Sequence, residues 1–170
     1  MGDDKKAFTL LEVMITLLIA GIIALLAVPN ILSLMKDFQV KEGLLELEQT
    51  VKQARNIAIS KSRTVSIDFS QAGANHDTNG GLMQIKQKDG TVISQIYFNK
   101  NVLYNAGLSN IQQNQIIFNF NGQPVDSSGA TSGFTTSNNK VTISYYSTSG
   151  SVLASKYLKV TPGTGNIEPQ

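Results

Sequence analysis

Lys5-Lys6-Ala7-Phe8-Thr9-Leu10-Leu11-Glu12-Val13 opens into an apolar run that ends near Met35. From Val13 to Met35 no side chain carries a charge. As a helix that run spans roughly 30 Å, the thickness of a bilayer hydrocarbon core. A helix buried in a soluble core is the first alternative, but it would carry an apolar stripe, whereas this run is apolar all round. A cleavable secretory leader is the second. Ala27-Val28-Pro29 imitates the end of such a leader, yet the apolar residues continue through Ile31, Leu32, Leu34 and Met35. Proline directly after a scissile bond is also unfavourable. The small residue nearest the charged start is Ala7. Processing there removes Met1 to Ala7 and leaves the hydrophobic helix in the mature chain.

One carboxylate, Glu12, stands at the mouth of the run. Holding it at the edge of a bilayer helix costs on the order of 2–3 kcal/mol, which makes it a functional candidate. The plain alternative is that it snorkels to the headgroups. Pro29 removes a helical hydrogen bond and crowds the preceding turn, so it predicts a kink. Lipid tolerates this where neighbouring helices re-satisfy the freed groups.

Past Met35 the helix continues as an amphipathic one. Leu34, Phe38, Leu44, Leu45, Leu47, Val51, Ala54, Ile57 and Ala58 recur at three- and four-residue steps. Lys36, Asp37, Lys41, Glu42, Glu46, Glu48, Lys52 and Arg55 fill the remainder. The helix is predicted to end near Ser60 to Ser62. Beyond Arg63 the period becomes two. Strands are predicted at Val65–Phe69, Leu82–Lys88, Val92–Phe98, Gln115–Phe120, Val141–Tyr146 and Val152–Val160, with a short edge strand at Phe134–Thr136. Asp89-Gly90, Asn121-Gly122 and Thr148-Ser149-Gly150 are the turns. Residues 70–80, 99–114 and 124–131 read as loop, and Pro162–Gln170 as a loose tail. The expected fold is α+β: a long amino-terminal helix, transmembrane and then amphipathic, packed on a small antiparallel head of two sheets. The divisions are a leader at 1–7, an anchor at 8–35, an amphipathic continuation at 36–62 and a β head at 63–170.

The 170 residues suit one soluble domain plus an anchor. A formal charge of +2 gives no basic field that demands nucleic acid. No cysteine is present, which excludes disulfides and thiolate metal sites. His76 is the only histidine. It sits in Asn75-His76-Asp77-Thr78-Asn79-Gly80, whose oxygens faintly imitate a calcium loop but lack the closing bidentate Glu. Asp77 and Asn79 read better as turn formers. No pair of carboxylates has a setting for acid–base work. The expectation is a chain with no catalytic residue, metal or cofactor.

The opening stretch resembles the class III leader junction of type IV pilins and pseudopilins: a Gly, then Phe-Thr-Leu-(Leu/Ile)-Glu, then a membrane-length apolar run. This chain has Ala7 where Gly is usual. The resemblance implies that a prepilin peptidase cuts between Ala7 and Phe8 and methylates the new Phe8 amine. It implies that Glu12 pairs with the amino terminus of a neighbouring subunit. That pair would fix axial register, because an unpaired charge in a low-dielectric bundle is heavily penalised. It also implies that Pro29 bends the helix or lets it melt locally on assembly. Gln53-Ala54-Arg55-Asn56-Ile57-Ala58-Ile59-Ser60 leading into Val65-Ser66-Ile67 is similar to H-type minor pseudopilins, the GspH/FimT-like proteins. So is Ile116-Ile117-Phe118-Asn119-Phe120-Asn121-Gly122. The implied role is a minor pseudopilin of the type II secretion pseudopilus, near its tip, with an inner-membrane anchor and a periplasmic head. Its implied partners are other pseudopilins or pilins, the prepilin peptidase and the inner-membrane assembly platform. The alternative is a minor type IV pilin or FimT-like subunit for pilus assembly or DNA uptake. Backbone binding to DNA needs clustered Lys and Arg. Gly163–Glu168 has none, and Lys156 and Lys159 are only a pair.

Overall fold

In a computed structural model, which describes residues 9–69 and 81–170, helix α1 runs from Leu10 to Ser60. The Ala7–Phe8 bond and the 70–80 loop with His76, Asp77 and Asn79 lie outside the described residues. By its internal contacts the chain divides between Met35 and Lys36.

In the first unit every side chain from Leu10 to Leu26 and from Ile31 to Met35 is exposed. The hydroxyl of Thr16 donates to the Val13 carbonyl at 2.9 Å, so this polar group asks nothing of its surroundings. The helix assignment is continuous through position 29.

In the second unit α1 buries Val40, Leu44, Leu47, Val51, Ala54 and Ala58 along one face. Three residues expected on that face are exposed: Leu34, Phe38 and Leu45. A step of three or four residues fixes a stripe but not which stripe faces inward, and Val40 completes the buried one. Gly43 lies on it because a Cβ there would come within 2.9 Å of Val102 and 3.2 Å of Ile143. The helix ends in a Schellman motif: Arg63 N–H donates to the Ala58 carbonyl and Ser62 N–H to that of Ile59. Ser62 takes the left-handed position, φ +48°, that glycine usually fills.

Nine strands follow among the described residues: β1 (Val65–Asp68), β2 (Leu82–Gln87), β3 (Val92–Tyr97), β4 (Val102–Tyr104), β5 (Gln115–Phe118), β6 (Pro124–Val125), β7 (Lys140–Tyr146), β8 (Val152–Val160) and β9 (Ile167–Pro169). They form two antiparallel sheets, β3-β2-β1-β5-β6 and β4-β7-β8-β9. The fold is therefore α+β, with a long helix on two antiparallel sheets. Ile67 stands opposite both Ile85 and Ile116, and these join Phe118, Val141, Ile143 and Leu158 in the core against α1.

Five local expectations are corrected. The irregular 99–114 segment contains β4, which is too short for its alternation to register. The strand from Gln115 stops at Phe118, because the Asn119 carboxamide oxygen accepts N–H groups of Asn121 and Gln123 and turns the chain at Gly122, φ +73°. The 124–131 loop begins with β6, where Pro124 is tolerated because a sheet edge needs no N–H on its outer side. Phe134–Thr136 is not a strand. A 3-10 turn, Thr131–Gly133, leads into it, and Asn138 Oδ1 accepts the Thr135 N–H at 2.6 Å. The tail is not loose: Thr161 and Gly165 close a turn, and β9 pairs with β8 from Ile167 opposite Val160. Arg55 Nε also donates to the Gly122 carbonyl at 3.1 Å, joining α1 to the β5–β6 turn.

Candidate functional site

Glu12 is the predicted site residue that the structure describes with its surroundings. It lies in the first turn of α1. Its Oε2 accepts two hydrogen bonds from Thr9, one from the backbone N–H and one from the hydroxyl, each 3.0 Å. In return the Glu12 N–H donates to Thr9 Oγ1 at 3.3 Å. This is a reciprocal capping box: Thr9 is the N-cap, Glu12 the third helical residue, and two donors that a helix start leaves orphaned are satisfied. The Thr-x-x-Glu spacing at 9–12 carries this signal in the sequence, and Thr9 is the residue that the reading of the chain passed over. Glu12 Oε1 makes no hydrogen bond among the described residues. Thus one oxygen is committed to the helix start and the other stays available.

Among the described residues, Thr9 is the polar partner of this carboxylate. Leu11 and Val13, which flank the carboxylate in sequence, are exposed. A carboxylate between exposed apolar residues suits a border between water and an apolar phase. Among the described residues, α1 is long and apolar enough to cross a membrane. Ala7 and Phe8 lie outside the described residues, and Pro29 lies within α1.

Elsewhere, no group of three or more acid or histidine side chains gathers among the described residues. The lysines read as a bare pair are rearranged by the sheet. Lys159 stands opposite Lys140, not beside Lys156, whose partner is Ile143. Lys140 and Lys159 ammoniums lie 5.6 and 5.8 Å from the Tyr157 ring centre, within range of a cation–π contact.

Residues 3–28 match the protein family described as the prokaryotic N-terminal methylation motif. No curated protein matches the chain in sequence. Among solved structures, the chain is similar to the type IV minor pilin FimU of Pseudomonas aeruginosa, at 16% identity and a TM-score of 0.49, over 79% of this chain and 90% of that one. It is also similar to the minor pseudopilin EpsH of the type 2 secretion system of Vibrio cholerae, at 8% identity and a TM-score of 0.48, over 78% of this chain and 96% of that one. With the matched segment running into the apolar half of α1 and the Thr9–Glu12 cap inside it, the chain carries the N-terminal methylation motif of type IV pilin-like proteins.

Proposed function

We propose that the chain is a minor pseudopilin, a structural subunit of the type II secretion pseudopilus and not an enzyme. It is held in the inner membrane by the 8–35 segment, with its head in the periplasm, until it is drawn into the filament near the tip. The observation that carries this reading is the methylation motif at residues 3–28 continuing into a helix that is apolar and exposed on all sides. Such a helix needs lipid before assembly and other helices after it. Prepilin peptidase cuts between Ala7 and Phe8 and methylates Phe8. Glu12 then offers its free oxygen to the ammonium of a neighbouring subunit, Pro29 supplies the bend, and the assembly platform moves the subunit out of the bilayer.

The decisive measurement is mass spectrometry of membrane-extracted chain from cells containing the peptidase. The expected amino terminus is Phe8 with one added methyl group, and an intact start upstream of Ala7 sinks the reading. Glu12→Gln should insert normally and enter filaments poorly. A minor type IV pilin shares the same motif and anchor. Deletion separates the two: loss of protein secretion supports the pseudopilus, and loss of pilus-dependent motility with secretion intact supports the pilus.

A further inference from the structure

Among the described residues the two sheets end on four strands: β3, β6, β4 and β9. Three of these edges are closed. β6 is two residues long and begins with Pro124. β9 has three residues, among them Glu168 and Pro169. β4 is buried throughout, and its Val102 carbonyl accepts the Gly81 N–H at 3.0 Å. Brevity, charge, proline and cover keep a sheet edge from pairing with another chain.

β3 has none of these. Val92-Ile93-Ser94-Gln95-Ile96-Tyr97 carries no charge and no proline, and its six residues make about 20 Å of strand. A bulge at Ile93 interrupts the ladder with β2 near one end, and Ser94 to Tyr97 pair regularly. The Phe98 N–H donates to the Gly81 carbonyl at 2.9 Å, toward β2. Bonding groups alternate in side along an antiparallel strand, so those of Gln95 and Tyr97 point away from β2. No backbone partner meets them there among the described residues. Val92, Ile93 and Tyr97 are 40%, 39% and 53% exposed, so the edge lies open. Beside it, Ile93 and Ile57 of α1 line a cleft of about 290 Å³ with Lys61, Arg63 and Gln87. Farther along the strand, Ile96 packs against the core.

We propose that the β3 edge receives an extended strand from a different subunit of the filament, which lengthens the five-stranded sheet by one. The inference rests on the filament reading above. The unpaired backbone groups select the occupant: an extended chain satisfies them, and a helix, whose own groups are already paired, does not. Its side chains alternate in side. One row faces the Ile57–Ile93 cleft and is apolar; the other lies level with Gln95 and is polar. A second copy of this chain fits less well. Asn99 Nδ2 donates to Glu42 Oε2 at 2.6 Å, and Ile57 lies by Ile93, so α1 runs opposite to β3. Two copies joined antiparallel through β3, the stronger pairing, would hold their Lys36–Ser60 helices in opposite directions. Chains anchored in one membrane do not meet in that way.

The test uses the full chain in cells that assemble the filament, with a photo-crosslinking phenylalanine analogue in place of Tyr97. The expected product is an adduct with a different filament subunit, identified by mass spectrometry. It should fall about tenfold in Gln95→Pro and survive in Gln95→Thr. Proline there removes an outward N–H and leaves the ladder to β2 in place. Both variants should melt with the parent. Should Gln95→Pro melt early, Gln95→Lys, which charges the edge and keeps its backbone, serves instead. Amide exchange reads the backbone itself: Gln95 and Tyr97 should exchange fast in detergent-extracted chain and slowly in filaments, and Ile96 slowly in both. Probe-bearing chain that enters filaments without an adduct overturns the proposal. So does an adduct formed while the Gln95 and Tyr97 amides stay fast, or an adduct with a second copy of this chain. Failure of the filament reading shows separately, as absence of Phe8 methylation and of filament co-purification.

Discussion

Between Leu10 and Met35, α1 is apolar on every side, and every side chain described there is exposed. Between Lys36 and Ser60 it is apolar along a stripe and buried along that stripe. Both stretches belong to one continuous α-helix. The difference lies in where the side chains find an apolar environment. The second stretch finds it in the strands of its own chain, at Ile67, Ile85, Phe118 and Ile143. The first finds none within the described residues and must take it from lipid or from other helices. A substitution in the head therefore reads out in the chain's own stability. The equivalent substitution in the anchor reads out in association.

The sharpest contrast is between Phe118→Ala and Leu18→Ala. Phe118 is fully buried and Leu18 is 65% exposed. Losing the ring should destabilise the head by about 3–5 kcal/mol, and losing Leu18 should change head unfolding by less than about 0.5 kcal/mol. Urea denaturation of the full chain in detergent micelles measures both. Equal effects would break the division between the two stretches.

Glycine gives a contrast of sign. At Gly122, φ +73°, a Cβ would come within 2.6 Å of Ile59, so Gly122→Ala should cost about 1–3 kcal/mol. At Gly21 nothing lies within 4 Å, so Gly21→Ala should favour the helix by about 0.5–1 kcal/mol. Head denaturation reads the first and amide exchange around Gly21 the second. Destabilisation at Gly21 would reveal a close neighbour in the anchor's native setting.

At the start of α1, Thr9→Ala removes the cap and should cost about 1 kcal/mol locally. Faster exchange of the first-turn amides, with the head's melting temperature unchanged, is the expected pattern. A shift of the melting temperature would mean that the two stretches unfold together. On the solvated face of the second stretch, the Lys52–Glu48 pair at 2.6 Å is an exposed i,i+4 contact. Lys52→Ala should cost only about 0.3–0.5 kcal/mol, and a larger loss would mean that this face is covered.

The last contrast is one of slope. Glu46 has a buried oxygen without a hydrogen-bond partner among the described residues. Burial, and then the charge of Glu42, push its carboxyl above the ordinary glutamate value of 4.5. The folded head therefore holds this proton more tightly than the unfolded chain does. The stability it brings is fully present below pH 4.5 and is lost as pH rises through the raised value. Glu46→Gln should flatten that fall, so that the variant gains on the parent between acid and neutral pH. Parallel stability curves would reject the role of burial here.

The long helix and the first three strands were legible because their signals are local. Charge is absent from Val13 to Met35, Val65–Phe69 alternates strictly, and Asp89-Gly90 marks the turn between the next two strands. Leu44, Leu47, Val51, Ala54 and Ala58 face the head as expected, but Leu34, Phe38 and Leu45 do not, because composition does not say which apolar residue faces which partner. The strands β4, β6 and β9 have three, two and three residues. Strands that short exist only through the partners they pair with, β7, β5 and β8. At the site, Glu12 stood out by its charge. Thr9 did not, because a hydroxyl becomes a cap only when read with the carboxylate three residues on. The Lys140–Lys159 pairing depends on sheet register and has no local signal at all.

The reciprocal bonds between Thr9 and Glu12 bear on the proposed maturation. A cut at the Ala7–Phe8 bond would leave Thr9 as the second residue of the product, so the helix would keep its own starter. Trimming two residues further would strip away Thr9, fray the first turn and set Glu12 adrift. With the proposed cut, one residue, Phe8, would stand between the new amino terminus and the first bond of the helix cap.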